Sequence, residues 1–333
     1  MQIRKPAYFD SFRCIAGQCP DSCCKDWEVE VDDKSAAFYR SLPGPLGDHL
    51  RAVLKDDPEW GTVMTIENGR CPMWREDGLC RIQAELNHDA LCQTCRDFPR
   101  ISHDYGTFRE FGLELSCPEA ARLIMTASVA PFITEDVPGG EAPDYDEDAM
   151  YILLQTREEA LSILNHPDYS VTEALVLLLY YGYQAQAQLD GEEPADFSPA
   201  LLLQEAKFMG IRDTEQDLVN FFKTLDILNP QWLVRLSSPI VFTNWASQLR
   251  NLARYFIERY WLQAVSDYDL VSRVKLAIIS CIVVHLLGGD VVQTAQMYSK
   301  EIENSPENMD ALFDALYSHP AMTDHRILGM LIP

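Results

Sequence analysis

Phe12-Arg-Cys14-Ile-Ala-Gly-Gln-Cys19-Pro-Asp-Ser-Cys23-Cys24-Lys-Asp-Trp27 packs four cysteines into a single short stretch. Cys71, Cys80, Cys92, Cys95 and Cys117 follow, so nine of the ten cysteines in this 333-residue chain lie between positions 14 and 117. Thiols at this density have three possible fates. Disulfides need an oxidising compartment, and the start, Met1-Gln-Ile-Arg-Lys-Pro-Ala-Tyr-Phe-Asp10, has no apolar signal core. Adjacent cysteines such as Cys23 and Cys24 also rarely bridge each other, for steric reasons. Nine idle thiols would be hard to account for. Ligation of a thiophilic centre is the leading reading, because thiolates are soft anionic ligands suited to zinc and to iron–sulfur clusters.

The spacing weighs on which centre. Structural zinc usually draws four ligands from two tight pairs, and here only Cys92-x2-Cys95 is tight. The x4 and x3 gaps among Cys14, Cys19 and Cys23 are closer to the staggered arrangements around iron–sulfur clusters. At least one 4Fe–4S cluster is therefore favoured, with zinc as the alternative. The ligands come from Cys14, Cys19, Cys23, Cys24, Cys71, Cys80, Cys92, Cys95 and Cys117. Nine thiols suffice for one cluster with spares or for two four-ligand sites, and the spacing leaves that open. Cys281, alone in an apolar helical stretch, reads as core.

Outward from the cysteines, the composition changes near residue 118. The expected fold is mainly α: a small irregular cysteine-rich metal or iron–sulfur domain (1–117), then an all-α helical domain (118–333). The first part is rich in turn residues, with one strand candidate in the alternating Trp27-Glu-Val-Glu-Val-Asp32 and short helices at 33–41 and 81–89. The second part predicts helices at 148–165, 171–189, 199–210, 213–228, 243–264, 267–288 and 306–318. Ser116-Cys-Pro-Glu119 has the form of a capping box with proline in the first turn. The acidic, Pro- and Gly-containing stretch 134–148 and the stretch 190–199 read as loops.

Charge excludes one class of partner. With 51 acidic and 27 basic residues the net charge is −24, the opposite of a phosphate-tracking surface, so no nucleic acid is expected. Basic, lysine-bearing surfaces are attracted instead. The longest uncharged apolar run, 276–289, is 14 residues and contains His285, short of a membrane span. No membrane insertion is expected, and the reading is cytoplasmic.

The opening stretch, together with Gly78-Leu-Cys80-Arg-Ile-Gln, Leu91-Cys92-Gln-Thr-Cys95-Arg-Asp-Phe-Pro99-Arg100 and Leu113-Glu-Leu-Ser-Cys117-Pro-Glu-Ala-Ala-Arg-Leu123, resembles the flagellin lysine-N-methylase family. These pieces keep their order over residues 8–125. The same cysteine skeleton is similar to a broader group of small zinc- or iron-chelating domains, in which Cys14, Cys19, Cys23, Cys24, Cys71, Cys80 and Cys95 have counterparts while Cys92 and Cys117 are extra. The first resemblance implies a protein-lysine N-methyltransferase. Its donor would be S-adenosylmethionine, its partner flagellin or another lysine-bearing protein, and its activity would depend on an iron–sulfur cluster. The second implies only a redox or metal-handling protein without methyl transfer, and that is the alternative.

The usual signatures of donor binding are missing. Gly44-Pro-Leu-Gly47 contains a proline and follows no strand pattern, and Leu287-Gly288-Gly289-Asp290 fits a helix ended by glycine. A C-x3-C-x2-C motif is absent from the sequence. Catalytic and donor-binding residues are therefore unassigned. A methylase must still deprotonate a lysine whose free pKa is about 10.4, and Tyr8, Asp21, Asp26, Trp27 and Asp97 stand near the cysteines. The plainer readings are that Asp21 caps a turn, Trp27 is core, and Asp97 pairs with Arg96 or Arg100. Those two arginines suit an anionic ligand or the balancing of thiolate charge. His88 and His103 are possible substitutes for a cysteine ligand.

Overall fold

The computed structural model describes the chain except for residues 26–28, 59, 68, 241–243 and 333. The strands are β1 (Gln2–Lys5), β2 (Val29–Glu30), β3 (Leu54–Asp57), β4 (Gly61–Met64), β5 (Arg100–Asp104), β6 (Phe108–Leu113) and β7 (Ile133–Asp136). The helices of the first part are α1 (Asp33–Ser41), α2 (Gly44–Val53), α3 (Arg81–Glu85), α4 (Gln93–Asp97) and α5 (Pro118–Thr126). Ten more follow: α6 (Glu147–Asn165), α7 (Val171–Leu189), α8 (Pro199–Met209), α9 (Glu215–Phe222), α10 (Pro230–Ser237), α11 (Gln248–Tyr260), α12 (Leu270–Leu287), α13 (Val291–Ile302), α14 (Pro306–Ser318) and α15 (Asp324–Leu331).

The helical core is organised around α12. This helix is apolar almost all round, as a helix enclosed by others must be, and it packs against α7, α11, α13 and α14. By length and composition alone it is long enough to cross a membrane, but 89% of it is buried inside the fold. The Asp269 side chain caps its first turn, and Gly288, at φ +62°, ends it. Cys281 lies fully buried on this helix, its thiol donating to the Leu249 carbonyl at 3.3 Å. A reciprocal Ser170–Glu173 capping box starts α7.

The first part holds more regular structure than its composition suggests. One sheet has the order β5-β6-β1-β7, with β1 parallel to β6 (Ile3 opposite Arg109) and antiparallel to β7. A smaller sheet has the order β2-β4-β3. The acidic stretch expected to be loop thus begins as strand β7, and part of the expected strand Trp27–Asp32 lies outside the described residues. The four-stranded sheet joins residues on both sides of position 117, and packing follows it. Phe12, Phe108, Leu113, Leu115 and Ile124 share one large cluster with the helices. A second, small cluster contains Val29, Tyr39, Leu50, Met73, Ile82 and Leu91. Glu110 on β6 and Arg157 on α6 fasten the sheet to the helices through two buried bonds of 2.7 Å.

The capping box expected at Ser116–Glu119 does not form. Cys117 occupies the N-cap position of α5, and Glu119 turns to Arg122 instead, accepting bonds of 2.6 and 2.8 Å.

Candidate functional site

A cleft of about 320 Å³ opens between the two clusters. One wall is the loop bearing Cys14, Cys19, Cys23 and Cys24, with Cys80 at the start of α3 and Cys95 on α4; the other is Ser116–Glu119 at the start of α5, with Lys300 of α13 and Asn304 beyond it. Seven of the nine clustered cysteines line it: Cys14, Cys19, Cys23, Cys24, Cys80, Cys95 and Cys117. Cys71 and Cys92 do not; they are buried in the small cluster behind the wall.

Backbone pairing brings these thiols together. The Cys71 amide donates to the Cys24 carbonyl at 2.8 Å, and Lys25 and Arg70 form an antiparallel bridge beside it. Trp74 and Cys80 bridge in the same way, folding the 71–80 segment back on itself. The Cys24 thiol accordingly hydrogen-bonds with Cys23, Cys71 and Cys80. Hydrogen bonding within that set pushes Cys24 far up, whereas the bonds to Cys24 lower the other three against burial: Cys71 falls, Cys23 to about 7 and Cys80 to about 6. Cys92 and Cys95 form a second such pair. Burial pushes Cys117 up to about 11, opposed by the amides of Ala120 and Glu119. None of the ten cysteines is in a disulfide. Among the described residues, no three His, Cys, Asp or Glu side chains already stand around an ion position; the thiols hydrogen-bond to one another instead.

Other residues singled out in the sequence disperse. The Asp21 carboxylate bonds to the Ser22 backbone and accepts from Lys300 Nζ at 2.9 Å, Gln296 Nε2 at 3.1 Å and Lys25 Nζ at 3.0 Å. Burial raises the Asp21 pKa, but the Lys300 charge and these bonds outweigh it and hold the group at about 2. Asp26 and Trp27 lie outside the described residues. Asp97 is exposed. Arg100 stacks its guanidinium 5.0 Å from the centre of the Phe12 ring at the cleft. His88 lines the cleft, but Tyr8 and His103 face a separate water-sized cavity beside Glu258 and Arg259. Gln296, Lys300 and Asn304 carry no motif that singles them out in the sequence. The apolar spacing Val291, Ala295, Tyr298 and Ile302, behind the N-cap Asp290, is the signal that marks their helix.

The chain is similar to known proteins. The lysine-N-methylases of Salmonella typhimurium and of Salmonella choleraesuis are each 29% identical to this chain over 194 residues, covering 55% of it and 47% of those proteins. The flagellar biosynthetic protein FliU of Salmonella muenchen is 32% identical over 129 residues, 37% of this chain and 76% of that protein.

This chain belongs to the flagellin lysine-N-methylase family.

It spans about half the length of the two lysine-N-methylases it matches. No family model and no solved structure matches it. Within the family setting, the thiol cleft is the candidate centre. Its donor set is soft, the three sulfurs bonded to Cys24 are biased toward the thiolate that metals require, and the residues present fit a thiophilic cofactor.

Proposed function

We propose that this flagellin lysine-N-methylase relative is a cytoplasmic protein-lysine N-methyltransferase with S-adenosylmethionine as donor and flagellin or a similar lysine-bearing protein as substrate, dependent on an iron–sulfur cluster in the thiol cleft. The observation that carries the cofactor is the convergence of seven cysteines on one cleft; the family carries the activity. The cluster's ligands would come from Cys23, Cys24 and Cys80 on the cleft wall and from Cys71 directly behind it, bonded to Cys24, with Cys14, Cys19, Cys92, Cys95 and Cys117 at hand. When bound it supplies iron chemistry and a cross-link between segments distant in sequence.

The transfer itself balances simply. The neutral lysine amine attacks the sulfonium methyl, the new N–C bond forms as the C–S bond breaks, and the donor leaves as a neutral thioether. The amine proton, lost to a base or to water, is what makes the nucleophile available. The acidic surface favours approach of a cationic substrate. Phe12, Leu79, Leu91 and Phe98 give the cleft apolar walls, and Arg100, stacked on Phe12, gives it a cation. Both features suit an organic ligand with a charged end.

The test is anaerobic purification with iron, sulfide and zinc analysis, calorimetry with S-adenosylmethionine, and transfer of labelled methyl groups to flagellin lysines. Iron with sulfide, donor binding and label on lysine are expected. Metal without donor binding would overturn the methylase reading in favour of a redox or metal-handling protein. Zinc without sulfide would overturn the cluster.

A further inference from the structure

The cleft's two walls belong to different hydrophobic clusters, so something must set the distance between them. The loop wall is anchored at its ends, by Phe12 in the large cluster and by Cys24 against the small one. Between them, Ala16, Cys19, Asp21 and Ser22 line both the main cleft and a second cavity of about 170 Å³. Ala16 is also in the left-handed region, at φ +47°.

What the loop does have is Asp21, midway between Cys19 and Cys23. Its carboxylate is 18% exposed and reaches across to α13, more than 270 residues away in sequence, where it accepts from Lys300 and Gln296. Gln296 has a second partner. The same side-chain nitrogen donates at 2.7 Å to the carbonyl of Ser116, the residue before Cys117. One amide group thus touches both the loop that carries Cys19 and Cys23 and the segment that carries Cys117. We propose that Asp21, held by Gln296 and Lys300, is the positioning residue that sets the separation of the two thiol-bearing walls and so governs how tightly the cleft holds a metal centre.

The inference rests on the metal reading of the cleft. It assigns no ligand role to Asp21; the residue acts through the sulfurs on either side of it. An outer partner of this kind usually changes metal affinity by about 10–100-fold when removed. An ordinary surface ion pair, by contrast, contributes little to stability and has no bearing on a metal.

The experiment uses Co²⁺ as probe, added anaerobically to full-length, metal-free protein and read by its thiolate charge-transfer absorption and by its release rate to a chelator. In Asp21→Asn, and separately in Gln296→Leu, release should be about tenfold faster and the absorption altered, while the far-UV dichroism and unfolding midpoint stay near those of the parent. Asp21→Glu should restore slow release. Asp21→Asn combined with Lys300→Met should be no worse than the first change alone, because both break one contact. Parental release and absorption in both single variants overturn the inference and leave the metal reading standing. A parent protein that takes up no Co²⁺ at its thiols overturns both together.

Discussion

Glu258 shows how far a single side chain here departs from its ordinary chemistry. It lies on α11 with Arg254 at 3.7 Å and borders the small cavity that also holds Tyr8, His103, Glu110 and Arg259. Burial pushes its carboxyl up to about 7, against the pull of Arg254 and Arg157 and with added repulsion from Glu110 and Glu158. The folded state therefore prefers the protonated form more than the unfolded chain does. The contribution of this group to stability is fully present below the unfolded value of 4.5 and is lost as pH rises through about 7. A displacement of that size corresponds to an effect on the order of 3 kcal/mol. Glu258→Gln keeps the shape and removes the titration. Plotted as variant minus parent, the unfolding free energy should rise from pH 5 to pH 8; a flat difference would show that the site is solvated in solution. Nothing in the sequence marks this residue beyond its place one helical turn after Arg254.

At the scale of elements, legibility tracks how strongly a segment advertises its own period. Helices α7 and α14 coincide with the expected 171–189 and 306–318 because each carries a clear start signal and a long apolar face. α10, α13 and α15 have no counterpart among the expected helices: two are eight residues long, and α13 mixes Gln293, Gln296 and Lys300 into its apolar pattern. β2 falls within the expected strand Trp27–Asp32, whereas β1 and β7 are illegible for another reason. β1 and β7 are four residues each, without a buried–exposed alternation, and β1 exists through pairing with residues 108–110, which no local pattern encodes. The nine cysteines are legible as a set, but not their division between cleft wall and small core, which depends on tertiary placement. The docking of α15 gives a test at this scale. Gly329 faces the turn after α8, where the Ile211 amide donates to the His325 carbonyl at 2.7 Å, and a Cβ on Gly329 would overlap the Ile211 carbonyl. The obstacle is backbone rather than a movable side chain, so Gly329→Ala should cost about 3 kcal/mol, read as a lower denaturant midpoint at unchanged slope. A parental midpoint would mean that α15 sits further from α8 than described.

Across the whole molecule, the two hydrophobic clusters should differ in what holds them. The large one is sustained by α12, whose side chains are almost all buried, and by the buried face of α7 packed against it. The small one rests on two short helices, α1 and α2, and on short strands. It is tied by isolated bonds such as Tyr39 Oη to the Ala90 carbonyl and Thr94 Oγ1 to the Glu30 carbonyl. Yet five of the nine clustered thiols, Cys24, Cys71, Cys80, Cys92 and Cys95, belong to it or pack against it. A metal centre drawing on them would close loops of many residues, and a small core without it has little to offset its chain entropy. Local opening is drawn from such weakly packed regions. Anaerobic chelation followed by hydrogen exchange should therefore accelerate amides of α2, β3, β4 and α3 by at least about tenfold, while α7 and α12 keep their protection. Uniform acceleration would make the two clusters one cooperative unit. Unchanged exchange in α2, β3, β4 and α3 would mean that packing alone sustains the small cluster, and the thiols would then be serving chemistry without serving the fold.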